Sequence, residues 1–205
     1  MSKYQLGGSQ TEYQAGSNDQ VLLNKLSISE ADEMDEAELV LLQKLYLYVL
    51  EKKLPIKALT VAEIKHWHTL WLGNIYEWAG AERSVNMSKG DFSFAAAKTI
   101  PKLLQDFETE CLSVFTPCAD MDKESLVAAI AKVHIEFILI HPFREGNGRL
   151  SRLLADVMAV QAGFQPLDYS IWDSHKDFYF ASIRQGMLRN YEPMERLVGD
   201  VLNRE

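Results

Sequence analysis

One corner in the chain limits what the rest can fold into. Positions 126–140 are strongly apolar at helical spacing, with Leu126, Ile130, Val133, Phe137 and Ile140 making a rod suited to a protein interior. Pro142 disfavours helical geometry at the residue before it, so the rod must end near His141. Gly146 and Gly148 then flank Asn147, and a second apolar helix begins with Leu150, Leu153, Leu154, Val157 and Met158. Two buried rods joined by a proline break predict a mainly helical interior with an imidazole at the mouth of the break.

The remaining pattern agrees with that interior. A helix is predicted over 35–53, where Leu39, Leu42, Leu45, Tyr46, Val49 and Leu50 form a wide stripe that stops before Pro55. Another covers 60–72, with Thr60 and Glu63 spaced as a capping box and Gly73 at its end. Further helices are predicted at 99–115, 122–141, 147–162, 174–189 and 193–204. The exception is 83–94, where Val85 and Met87, then Phe92 and Phe94, alternate with polar residues on either side of a Lys-Gly-Asp turn. That is a short hairpin, read either as a surface connector or as an exposed edge able to pair with an extended partner segment. Residues 1–20, rich in Gly, Ser, Gln and Asn, read as a flexible arm, and 21–205 as a single domain without repeats or linkers. The predicted class is all-α with a small β-hairpin.

Composition removes several functions. With 21 Lys and Arg against 29 Asp and Glu, the net charge of −8 argues against a broad nucleic-acid or membrane-surface binder. No apolar run approaches the roughly 18 residues needed to span a bilayer, and the first twenty residues contain no signal-peptide core. A soluble cytoplasmic protein is expected. Two cysteines, Cys111 and Cys118, are too few for a disulfide framework or a zinc cage and read as reduced, partly buried thiols. The acidic run Glu30, Asp32, Glu33, Asp35, Glu36 and Glu38 reads as a solvated helix N-terminus favoured by the macrodipole.

Chemistry concentrates in 141–152. Glycines beside a helix N-terminus let backbone N–H groups converge on an anion. Arg149 and Arg152, three residues apart, share one helical face, and two guanidiniums beside such a nest suit a polyphosphate. Glu145 would repel phosphate unless Mg²⁺ sits between, an ion that favours one or two carboxylates together with phosphate oxygens. His141, with an ordinary pKa near ~6.5, is suited to accept a proton from an attacking hydroxyl. A structural corner uses the same residue types singly; their combination within twelve residues favours function. No P-loop sequence is present, and neither HExxH nor CxxC supports zinc at His134, His141 and Glu145. Of the other residues, His134 reads as a core histidine, and His66 and His68 as unable to share a metal. Trp67, Trp71 and Trp78 read as core or flap support, Lys89 as a solvated hairpin tip, and Tyr191 as packing.

At these residues the chain resembles the Fic family, whose motif is H-P-F-x-[DE]-G-N-G-R-x-x-R. His141, Pro142, Phe143, Glu145, Gly146, Asn147, Gly148, Arg149 and Arg152 match every specified position. Ile75, Tyr76, Glu77, Trp78, Ala79 and Gly80, with Arg83, resemble the segment before the family's active-site flap, and 134–140 its helix leading into the motif. The resemblance covers about residues 20–200. It implies a helical domain with a hairpin flap, and transfer of AMP from ATP to a Tyr, Ser or Thr hydroxyl of a target protein.

Carried over, the resemblance makes His141 the base and Phe143 a buried anchor, and has Glu145 hold Mg²⁺ against the α- and β-phosphates. Gly146, Asn147 and Gly148 form the anion hole, with Asn147 near the α-phosphate, while Arg149 and Arg152 hold the β- and γ-phosphates. Val85, Asn86, Met87, Ser88, Lys89 and Gly90 form the flap that docks the target backbone; for Lys89, contact with target or nucleotide is the alternative to a solvated tip. The family's kinase-like branch carries Lys where this chain has Gly148, which disfavours phosphoryl transfer. Transfer of UMP, GMP or phosphocholine from another donor, or a non-catalytic nucleotide-binding module, are the alternatives. The family's inhibitory pattern [ST]-x-x-x-E-[GN] has no complete copy: Ser29 and Glu33 have the spacing, but Met34 follows. Inhibition by a separate antitoxin-like protein is the favoured reading, with no inhibition, or a divergent copy at Ser29 and Glu33, as the alternatives. A bacterial cytoplasm is the implied location, with delivery to another cell an option.

Overall fold

Caps and breaks written in the sequence decide most element boundaries in the computed structural model, which describes residues 10–202. Helix α1 is Ala31–Tyr46, and its course continues through a π-helical segment, Leu47–Lys52. Helix α2, Val61–Leu72, opens on the expected capping box: Thr60 Oγ1 accepts from the Glu63 N–H at 3.2 Å, and Glu63 Oε2 accepts from the Thr60 N–H at 3.0 Å. Strands β1, Ser88–Lys89, and β2, Phe92–Ser93, pair antiparallel with Lys89 opposite Phe92. The helix predicted over 99–115 winds in stages, as α3, Ile100–Phe107, then a π-helical segment, then α4, Ser113–Phe115. The two rods are α5, Lys123–Ile140, and α6, Asn147–Gln161. After them come α7, Ser170–Ser174, α8, Lys176–Gly186, and α9, Glu192–Val201. Among the described residues the fold is all-α apart from the hairpin.

Helix α5 is the axis. Its side chains from Leu126 to Ile140 are buried on nearly every side, with α6 and α9 as its main neighbours and α3 and α8 flanking. A helix apolar all round is stable only when enclosed in this way. Helices α1 and α2 pack together as a second layer. One tie to α6 is the buried carboxylate of Asp156, which accepts from Tyr46 Oη at 3.0 Å and from Tyr169 Oη and the Leu167 N–H at 2.9 Å each. Both cysteines are free and buried. Among the described residues no helix is long and apolar enough to cross a membrane.

Four expectations change. The helix predicted over 174–189 is interrupted at His175, φ −120° and ψ 47°. Ser174 Oγ and His175 Nδ1 bond the Ser170 and Ile171 carbonyls at 2.7 and 3.0 Å, competing with the backbone for the last turn of α7. The apolar stripe of α1 is narrower than predicted: Leu45 and Val49 are buried, but Leu39 is 53% exposed. The acidic run is solvated except at Glu38, which is 3% exposed and shares the inner face with Met34 and Leu45. Of the segment read as an arm, 1–9 lie outside the described residues. From Gln10 onward it turns back on the body, with Leu23 N–H bonding Glu12 O at 3.0 Å and Gln10 Oε1 accepting from the Ser84 N–H at 2.7 Å.

Candidate active site

The break after α5 is built by a left-handed residue and a buried cation. His141 adopts φ 50° and ψ 60°, a conformation costly for a residue with a Cβ and sustained only where surroundings enforce it. The enforcing group is Arg83, 2% exposed. Its Nε donates to the His141 carbonyl, one Nη to Val85 O and the other to Ala95 O, each at 2.6 Å, with Ile140 O at 3.3 Å. One guanidinium thus ties both ends of the flap segment to the carbonyl end of α5, where the helix dipole is negative. Above this clamp the imidazole stacks on the Phe94 ring, 3.7 Å between centroids. Its Nδ1 donates to Ile138 O at 3.3 Å, which leaves the Nε2 lone pair as the acceptor. Burial pulls the His141 pKa down to about 4, helped by the Arg83 and Lys89 cations and opposed by the Ile138 bond. The ring is neutral at pH 7.

The loop that follows is locked from two sides. Asn147 is buried, and its amide bonds the Phe143 main chain twice, accepting from N–H at 2.9 Å and donating to O at 2.8 Å. Its side chain is therefore spent on loop closure rather than held out toward a ligand. His68 braces the other side: the Gly80 N–H donates to its Nδ1 at 2.7 Å, so Nε2 carries the proton it gives to Glu145 O at 3.1 Å. The same ring stacks on Phe143 at 4.0 Å, and burial pulls its pKa down to about 4. Gly146 has φ +83°, and a Cβ there would meet the Trp71 ring at 2.5 Å, so only glycine fits. As the cap of α6 it brings no side chain, so the first-turn N–H groups of that helix have no side-chain acceptor.

These parts face one cleft of about 850 Å³, lined on one wall by His141, Glu145, Gly148, Arg149 and Arg152 and on the other by the hairpin and α8. Phe143 lies beneath it, 1% exposed, as an anchor. Arg149 rests on the Trp71 ring at 4.6 Å and pairs with Glu38 at 2.6 Å and Glu145 at 3.3 Å. Arg152 rests on Tyr169 at 4.7 Å and takes Asp173 with both Nη atoms, at 2.6 and 3.3 Å. Sequence reasoning missed Glu38 and Asp173. For Glu38 a signal existed: it is four residues after Met34 and seven before Leu45, in line with the buried face. Burial pushes its carboxyl above the usual range, with Arg149 and the Tyr76 hydroxyl opposing.

The flap is the hairpin with its entry strand. Val85 O is held by Arg83, Asn86 Oδ1 accepts from the Ala97 N–H at 2.9 Å, and Met87 O accepts from the Phe94 N–H at 3.1 Å. Ser88, Lys89 and Gly90 are exposed. Lys89 Nζ sits 4.3 Å over the Phe180 ring, and Asp91 pairs with Arg184 at 2.5 Å, so the hairpin bridges the cleft to α8. His134 is a core residue, accepting from Tyr179 Oη at 2.9 Å, and Tyr191 bonds Glu136 of α5. His66 is exposed and His68 buried. Among the described residues no three His, Cys, Asp or Glu side chains converge as a metal cage. Glu145 is the carboxylate at the mouth of the nest, 42% exposed, and a lone carboxylate with phosphate oxygens is a donor set that fits Mg²⁺.

Comparison with known proteins follows the same residues. The Fic/DOC family model matches 58–159. A probable protein adenylyltransferase of Sinorhizobium fredii is 30% identical over 171 residues, 80% of this chain and 82% of that protein. The probable protein adenylyltransferase Fic of Escherichia coli K12 is 33% identical over 96 residues, 45% of this chain and 46% of its own length. Among solved structures, the Bartonella tribocorum effector BepC with bound AMPPNP superimposes with a TM-score of 0.75 at 22% identity, covering 96% of this chain and 98% of that one.

Proposed function

The chain belongs to the Fic/DOC family, and we propose that it is a protein adenylyltransferase, moving AMP from ATP to a hydroxyl of a target protein. The observation that carries this reading is the neutral His141, its Nε2 lone pair in the same cleft as the uncapped start of α6 and two arginines.

The hydroxyl of a target Tyr, Ser or Thr gives its proton to His141 Nε2 as its oxygen attacks the α-phosphorus. The bond from that phosphorus to the α–β bridging oxygen breaks, and pyrophosphate leaves. The first-turn N–H groups of Asn147 and Gly148 receive charge on the α-phosphate, beside Gly146, whose own N–H donates to Glu145 Oε1 at 2.8 Å, with Asn147 fixing the loop that presents them. Arg149 and Arg152 take the β- and γ-phosphates. Asp173 is 53% exposed, so its pair with Arg152 is a surface pair easily exchanged for phosphate. Glu145 would hold Mg²⁺, and the ion when bound would neutralise phosphate charge. The exposed edge at Ser88 and Lys89 would hold the target backbone by strand addition. Inhibition falls to a separate antitoxin-like protein.

The test is transfer of label from α-labelled ATP with Mg²⁺ to protein in a lysate, with mass spectrometry of the modified residue. Addition of AMP that is abolished by His141→Ala is expected. Label transferred only from the γ-position, or labelling that survives His141→Ala, would overturn the reading. Competition between ATP, UTP, GTP and a phosphocholine nucleotide decides the donor.

A further inference from the structure

Arg149 begins a helix at the edge of a cleft, and a long side chain there has no reason of its own to point anywhere. Two carboxylates compete for it. Glu38 Oε2 lies at 2.6 Å and Glu145 Oε1 at 3.3 Å, the second being its neighbour one turn back. Glu38 is held far more firmly than Glu145. Its side chain is 4% exposed against 42%, and its Oε1 accepts from Tyr76 Oη at 2.9 Å. Its main-chain carbonyl accepts from Trp71 Nε1 at 2.8 Å, and that same indole is the platform on which the guanidinium lies. Helix α1, helix α2 and Tyr76 thus converge on one buried oxygen pair whose partner is Arg149.

From this geometry we propose that Glu38 is the positioning residue for Arg149. It draws the guanidinium onto the Trp71 face, so that the Glu38 contact is the short one at 2.6 Å and the Glu145 contact stays long at 3.3 Å. The N–H groups not bonded to Glu38 stay available for terminal phosphates, and Glu145, whose Oε1 accepts from the Gly146 N–H at 2.8 Å, keeps its Oε2 for a cation. Without the Glu38 charge, the remaining nearby carboxylate is Glu145, which lies two residues before α6 and already 3.3 Å from the guanidinium. Glu145 and Arg149 would then neutralise each other. The inference rests on the adenylyltransferase reading, because it assigns Arg149 to the phosphates beyond the first.

The test compares calorimetric binding of ATP, ADP and AMP by the full chain, without Mg²⁺, for wild type, Glu38→Gln and Glu38→Gln/Glu145→Gln. Glutamine keeps the shape and the Tyr76 bond. The expected result for Glu38→Gln is a loss of about tenfold to a hundredfold for ATP and ADP, the range of a charge-assisted hydrogen bond, with AMP changed less than threefold. The double variant is expected to recover most of the ATP affinity, since the competing carboxylate is gone. A crystal of Glu38→Gln is expected to show the Arg149 guanidinium withdrawn from residue 38 and closed onto Glu145, well inside the present 3.3 Å. Equal losses for ATP and AMP, no recovery in the double variant, or Arg149 unmoved in the crystal would each overturn the positioning role. A wild-type protein that binds ATP no tighter than AMP would overturn the nucleotide reading instead, and the crystal position of Arg149 would then decide the positioning role alone.

Discussion

Arg83 and Arg149 stand on opposite sides of the same corner and are satisfied in opposite ways. Arg83 is sealed, its guanidinium given to the carbonyls of His141, Val85, Ala95 and Ile140. Arg149 is one-third exposed and shared between two carboxylates beside a cleft. A guanidinium paired with main-chain oxygens is a fixed part of the architecture, because those oxygens have nowhere to go. One paired with side chains can be transferred to a ligand that offers more negative charge. The difference separates the rigid half of the site, which aims the imidazole, from the half that receives phosphate.

Breaking the rigid half should cost most. Arg83→Met strands four carbonyls beneath His141, and a loss of about 3–5 kcal/mol in denaturant unfolding is expected, with transfer activity lost alongside it. Acid probes the same rigidity through its rings. His68 and His134 are buried, each with a pKa drawn down to about 4 by burial. Below about pH 6.5 the unfolded chain takes up protons that the folded state refuses. Stability is therefore complete above that pH and falls as pH drops toward 4, by about 3 kcal/mol for each ring. Urea midpoints measured at pH 7, 6, 5 and 4 check the slope.

Smaller effects sharpen the contrast. Gly146→Ala should cost about 2–4 kcal/mol, combining left-handed strain with contact against Trp71. Arg149→Met leaves Glu38 buried without its cation. Burial already raises that carboxyl, so the folded state binds its proton more tightly than the unfolded chain. The destabilisation should therefore grow as pH rises from 5 to 8, by about 1–3 kcal/mol, whereas that of Arg83→Met should not depend on pH in this range. Gly148→Ala meets nothing within 4 Å and lies in a helix, so a change of about 0.5 kcal/mol or a slight gain in melting temperature is expected. A large loss at Gly148, or none at Gly146, would show that the loop is not held as described.

How much was legible follows from the range of each interaction. The capping box at Thr60 and Glu63 and the stop at Pro142 are local, so residues a few positions apart announce them. The hairpin is legible from the alternation of Met87, Phe92 and Phe94. The break at His175 is not, because it depends on side chains winning their own helix carbonyls from the backbone. Asn147 shows a different gap: its place in the motif is plain, but its amide turns inward to Phe143. Arg83 and His68 each act on chain tens of residues away, and neither has a local pattern that says so.

The sequence by itself determined two apolar rods, the corner between them and the residues at that corner, since hydrophobic period and proline geometry are short-range properties. Only the tertiary structure decided which charges were buried and with whom. Glu38 reads as one more acid in a solvated run until α1 packs on α2 and brings it to Arg149. Asp173 becomes a partner of Arg152 only when α7 folds beside α6. The physical reason is that helical spacing specifies which face of a helix is apolar, while the partner of a charge depends on which distant segment that face is brought to meet.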